Sequence, residues 1–210
     1  MKRIKRVFPF LFLLGFFLLG NATSSWGVGG LLPAGALKSL VTGERQLLIL
    51  EPVSKGKIKY NRYSAMIVRA PLDKVWKVVT DFAHYSDFIP EMSKSKIIKK
   101  TGDTVVTECT VGFAFAGIGC TTTYQQKHVL KKPKIITYDT KTNKLSAYWQ
   151  LISLGGAKTL LVYNDEGIDP REFCMLARSL LRVKPDLELS LHVCPPIQLL
   201  QAMKKRAEGR

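Results

Sequence analysis

Tyr124, Gln126 and His128 fall at alternate positions of one extended stretch, and no charged residue occurs from Cys109 through Gln126. Alternate residues of a strand share one face of its sheet. A phenol, an amide and an imidazole on an apolar face could orient the polar end of a hydrophobic ligand. They could also act on it as acid and base. The alternative, that Gln126 and His128 point to solvent at the strand's end, stays open. His84 and His192 lie far from His128 in sequence, with none of the HExxH spacing that ligates zinc, so no metal site is expected. No GxSxG elbow and no phosphate-cradling glycine loop occurs. Asp165-Glu166, beside Gly167, reads as a solvated loop. These residues assign no catalytic group and no cofactor.

Strands have to carry that face, and turn residues mark them out. Ser95–Lys100, Thr104–Phe113, Cys120–Leu130, Lys134–Thr140, Lys144–Leu154 and Lys158–Asn164 are separated by Gly102-Asp103, Gly117–Gly119, Pro133, Thr142-Asn143 and Gly155-Gly156. Such close spacing leaves no room for crossover helices and predicts an antiparallel meander. Lys57–Arg69 alternates as an earlier long strand, preceded by an apolar run Leu47–Leu50 halted by Pro52. Between Lys57–Arg69 and the meander, Leu72, Val75, Trp76, Val79, Phe82 and Ala83 recur at helical spacing behind Pro71. A short second turn, Tyr85–Ile89, ends at Pro90. Helical character returns in Arg171–Arg182 and in Ile197–Glu208, with Pro195-Pro196 breaking or beginning the last helix. Asp186–Val193 alternates like a strand and is not assigned a class. A curled sheet around a long helix need not fill the space between them, which leaves room for an apolar pocket.

The N-terminus reads MKRIKR, then the 14 apolar residues VFPFLFLLGFFLLG, then small residues. This is the pattern of a secretory signal. As a helix it reaches about 21 Å, short of a hydrocarbon core of roughly 30 Å. The division expected is signal peptide 1–22, cleaved after Ala22, a flexible mature N-terminus 23–44, and one domain 45–210, working in the periplasm or outside the cell. Loss of Lys2, Arg3, Lys5 and Arg6 takes 32 basic residues to 28 against 16 acidic ones, a net +12. Such charge favours anionic surfaces, which outside the cytoplasm means phospholipid headgroups and not nucleic acid. Four cysteines in an exported chain allow disulfides. The pairing preferred is Cys109–Cys120 across one hairpin and Cys174–Cys194 near the C-terminus, with buried free thiols as the alternative.

The segment Ile67–Met92 carries Ala70-Pro71, Val75-Trp76, Thr80-Asp81-Phe82 and Phe88-Ile89-Pro90. With the order of elements, it resembles the START-like helix-grip superfamily, in its bacterial polyketide-cyclase and coenzyme-Q-binding branch. The resemblance covers about 150 of the 210 residues. It implies an α+β helix-grip fold, six to seven curled antiparallel strands around a long C-terminal helix with a short helix pair after the first strand. It further implies a non-enzymatic binder of a lipid, isoprenoid quinone or polyketide-like molecule, with an aromatase/cyclase and a filled-core adaptor as alternatives. The side chains expected to meet the ligand are Trp76, Phe82, Phe88 and Ile89 from the helix pair. Val111, Phe113, Phe115, Tyr124, Gln126, His128 and Trp149 come from the sheet, and Leu200 and Met203 from the last helix. The tip Val111–Gly119, with Phe113, Phe115 and Ile118, is expected to gate exchange at a membrane.

Overall fold

The computed structural model describes residues 46–54, 57–115, 118–166, 171, 175–184 and 187–210. Side chains 52–54, 57–59, 113–115, 118 and 176 lie outside that description. The expected signal peptide, Cys174 and the side chains of Phe113, Phe115 and Ile118 therefore fall outside the described residues.

Eight strands form one antiparallel sheet: β1 (Leu47–Ser54), β2 (Lys57–Val68), β3 (Met92–Thr101), β4 (Thr104–Phe115), β5 (Ile118–Lys131), β6 (Lys134–Asp139), β7 (Leu145–Gly155) and β8 (Lys158–Asp165). Their order is β1-β2-β8-β7-β6-β5-β4-β3, a six-stranded meander with β2 and β1 added beside its last strand. The strand beyond the expected count is β1. It pairs with β2 from Leu47↔Ala65 to Pro52↔Tyr60. Pro52 is tolerated there because β1 is an edge strand, where a missing N–H need not break a ladder bond.

Helix α1 (Leu72–Val79) starts behind Pro71, whose carbonyl accepts the N–H groups of Lys74 and Val75 at 3.0 and 3.1 Å. Apolar spacing continues to Ala83, yet the helix stops at Val79. The Thr80 hydroxyl folds back onto the Trp76 carbonyl at 2.8 Å, the local competition that makes threonine a poor helix interior. Phe82 then enters a 3-10 turn (Phe82–His84) and is buried, whereas Ala83 is exposed. Helix α2 (Tyr85–Phe88) completes the pair. Glu91, at φ +66°, turns the chain into β3, and its carbonyl accepts Gly112 N–H at 2.6 Å.

After β8 come α3 (Met175–Val183) and α4 (Leu187–Glu208). The last helix is one turn after another from Leu187, with Pro195 and Pro196 inside it. Its buried stripe explains why the sequence left this stretch unassigned: Glu188, His192, Pro196, Leu200, Met203 and Ala207 face inward, so the stripe begins with polar residues. Leu200 and Met203 are fully buried with Val75, Val79, Val68 and Leu161 in the core. At its C-terminus, Lys204 Nζ donates to Ile67 O at 2.8 Å, and Glu208 accepts Arg69 N–H at 2.7 Å. Gly209, at φ +77°, supplies the left-handed residue that ends the helix.

Candidate functional site

Residues of one parity on β4 to β8 face the helices and form a concave wall. The ladder sets Thr107 opposite Gln126, Cys109 opposite Tyr124 and His128 opposite Thr137. Trp149 and Tyr163 extend the wall along β7 and β8, opposite one another with ring centroids 4.3 Å apart. Phe82, Tyr85, Met92 and Leu199 close the other side over a cavity of about 70 Å³. Among the described residues that line it, none is a lysine, arginine, aspartate or glutamate, in a chain with a net charge of +16.

His128 lies at the centre of the wall's polar stripe. Its Nε2 is 2.9 Å from Thr107 Oγ1 and its Nδ1 is 2.9 Å from Thr137 Oγ1. A neutral imidazole has one donor and one acceptor nitrogen, and hydroxyls can complement either. Phe82 stacks on the ring at 4.2 Å and 15°. Burial pushes the histidine pKa down to about 4, so the ring is neutral at physiological pH.

Most other polar atoms at the cavity are committed. Tyr85 donates to Val79 O at 2.6 Å, and Tyr163 donates to Asp165 at 3.0 Å. Gln126 Nε2 donates to Ser146 Oγ at 3.4 Å. Cys109 Sγ is 3.5 Å from Ser95 Oγ, and burial raises its thiol pKa. Tyr124 differs. It lines the cavity, burial holds its phenol well above the usual range, and no hydrogen bond ties its hydroxyl to another described residue. Behind Tyr163, buried Arg62 makes a two-point ion pair with Asp165, Nε–Oδ1 at 2.7 Å and Nη2 on Oδ2. Among the described residues, no group of His, Cys, Asp and Glu is arranged to hold a metal ion.

The family model for polyketide cyclases/dehydrases and lipid transport matches residues 68–210, more than half of the chain. The chain belongs to this family. Similar solved structures include a STAR-related lipid transfer protein from Xanthomonas axonopodis, 12% identical with a TM-score of 0.54, the match covering 77% of this chain and 93% of that one. A Thermus thermophilus protein, TTHA0849, is 12% identical with a TM-score of 0.51, over 71% of this chain and 97% of that one. The di-domain ARO/CYC StfQ from the steffimycin biosynthetic pathway is 16% identical with a TM-score of 0.50, over 71% of this chain and 51% of that one. At such identities the likeness shows the fold, a START-like helix grip. No curated protein matches.

Within this polyketide-cyclase-type domain, Phe82, Tyr124, Gln126, His128 and Trp149, all among the expected contacts, line the cavity. Among the described residues, Trp76, Phe88, Ile89, Val111, Leu200 and Met203 do not line it. Ile89 is core, Trp76 packs half-buried against that core, and Leu200 and Met203 lie wholly within it. Phe88 meets Tyr85 edge-on at 5.8 Å, with the Arg206 guanidinium 5.6 Å from its ring. Val111 is half-buried between Met92 and Thr122 on the neighbouring strands. Thr107, Thr137, Tyr85 and Tyr163 are additions that sequence reading missed. Parity could have found Thr107, two residues before Cys109.

The expected disulfide pairing is corrected. Cys109 and Cys194 carry free thiols, one buried and one exposed, while Cys120 is disulfide-bonded. The register explains the first: Cys120 lies opposite Phe113, and Cys109 opposite Tyr124. The hairpin turns later than a Cys109–Cys120 bridge requires.

Proposed function

We propose that the protein is an exported carrier that binds a lipid, isoprenoid quinone or polyketide-like molecule in this cavity without transforming it. The observation that carries the reading is the state of the polar wall. General acid–base catalysis needs a group that exchanges protons near the working pH. His128 is locked between two threonines with a pKa near 4, and burial holds Tyr85, Tyr124 and Tyr163 well above their ordinary range. Such a wall orients a neutral ligand through hydrogen bonds. The tripartite N-terminus supports export, and a disulfide at Cys120 accords with an oxidising compartment.

At about 70 Å³ the cavity is well below the roughly 300–1,000 Å³ of ordinary ligand pockets. Loading therefore moves part of the wall. Met92 and Leu199 are the half-buried members contributed by the chain outside the meander's inner strands. The expected result is that protein purified from its own host and extracted with organic solvent yields one apolar compound in near-equal molar amount. Tyr124→Phe, which removes the uncommitted donor, should weaken retention of that compound about five- to ten-fold, the worth of one neutral hydrogen bond. Chemical conversion of the compound by the wild type, lost in Tyr124→Phe, would make the protein a cyclase instead. Native mass spectrometry showing empty protein from its own host would favour an adaptor with a filled core.

A further inference from the structure

Helix α3 inverts the usual logic of a surface helix. Ala177 and Leu181 are buried, as one inward stripe at i, i+4 should be. The opposite face holds Met175, Arg178, Ser179, Arg182 and Val183, all exposed. Met175 is 83% and Val183 75% exposed, and Leu189, at the start of α4, is 55% exposed. These are the three most exposed large apolar side chains among the described residues. Met175 and Val183 lie on this face on either side of Ser179, and large apolar side chains this exposed are the kind of surface that contacts use.

The charges of the described residues on this helix point to the partner. Arg178, Arg182 and Lys184 are exposed, and no acidic residue lies on α3. The acid that follows on α4, Glu188, is buried and accepts Arg171 Nη2 at 2.9 Å. Exposed apolar side chains interleaved with cations suit a helix lying in a headgroup layer: apolar chains enter the acyl boundary while guanidinium groups stay with phosphates.

We propose that this face of α3, together with Leu189, seats the protein on an anionic phospholipid bilayer. Leu189 stands ten residues before Leu199 on α4, about 15 Å along an ideal helix. The same helix thus carries a docking side chain and a wall of the cavity. The proposal does not depend on what the cavity holds, and its failure would leave the carrier reading untouched.

The test is co-sedimentation of the mature protein with vesicles of phosphatidylglycerol and phosphatidylcholine in equal parts, against vesicles of phosphatidylcholine alone. Wild type should bind the anionic vesicles and release them at roughly 0.5 M salt, where surface charges are screened. Arg178→Gln with Arg182→Gln should weaken binding about thirty-fold at low salt. Met175→Ser with Val183→Ser and Leu189→Ser should weaken it at least about ten-fold. Circular dichroism and thermal midpoint should be unchanged in both, since every altered side chain is exposed. Three outcomes would overturn the proposal. The wild type could ignore anionic vesicles. Both variants could bind as the wild type does, placing the contact elsewhere. Or the wild type could sediment as a dimer that the apolar variant dissolves, making the face an interface between copies.

Discussion

Arg62→Met should lower the free energy of unfolding by about 3–5 kcal/mol, as removal of one partner from a buried ion pair does. Arg62 is 7% and Asp165 8% exposed, so neither charge has water to fall back on. The guanidinium binds both carboxylate oxygens through Nε and Nη2. Without it, Asp165 keeps the Tyr163 hydroxyl as a donor but loses the charge that balances its own. Urea unfolding at neutral pH is the measurement. Arg62→Met combined with Asp165→Leu should recover much of the loss, because an apolar pair needs no desolvation of charge. A single-variant loss below about 1 kcal/mol, the range of exposed pairs, would show that the pair is solvated. Tyr163 makes the result matter for the site: its hydroxyl direction depends on Asp165, and its ring lines the cavity.

The second large effect is a loss of stability on mild acidification. His128 titrates near 4 in the folded protein, against 6.5 when exposed, because burial disfavours the imidazolium. As pH falls, the unfolded chain takes the proton first. The stabilisation is therefore complete above about pH 6.5, declines below it, and is gone near pH 4, a total of about 3 kcal/mol. Asp73, Glu108, Asp139 and Glu208, whose pKa values are lowered, also lose stability in acid, but at lower pH and equally in any His128 variant. Stability of wild type relative to His128→Leu should then fall as pH moves from neutral to about 4. A constant difference across that range would mean that His128 is already solvated in the folded state.

The sheet was legible because glycine, proline and asparagine turns punctuate it. Parity put Tyr124, Gln126 and His128 on one face and Trp149 on the apolar face of its strand, but left open whether Gln126 and His128 turn inward or to solvent. Thr107 and Thr137 were not legible as partners of His128, since threonine in a strand is ordinary and the pairing depends on register. Tyr163 owes its place to Asp165, which is held by Arg62 from 103 residues away. The first half of α4 was hidden because Glu188 and His192 occupy its inward stripe, where hydrophobic periodicity looks for apolar residues. Phe113, Phe115 and Ile118 illustrate the opposite case: composition singles them out, and their side chains lie outside the described residues.

Pro196 has a further consequence, for the order in which substitutions can accumulate. Lacking an N–H, it cannot satisfy the His192 carbonyl one turn earlier. That carbonyl instead accepts Arg62 Nη1 at 3.4 Å. Arg62 thus serves a carboxylate on one strand and a helix carbonyl exposed by an imino acid. Pro196→Ala would give the carbonyl an intrahelical donor and release Arg62 from one of its duties. Loss of Arg62 should then cost about 1 kcal/mol less in the Pro196→Ala background than in the wild type, a coupling that a double-mutant cycle can read. A lineage that replaces the proline first can afterwards drift at position 62 more freely. A lineage that loses the arginine first meets the full penalty, so the two positions should show sign-consistent epistasis in deep mutational data.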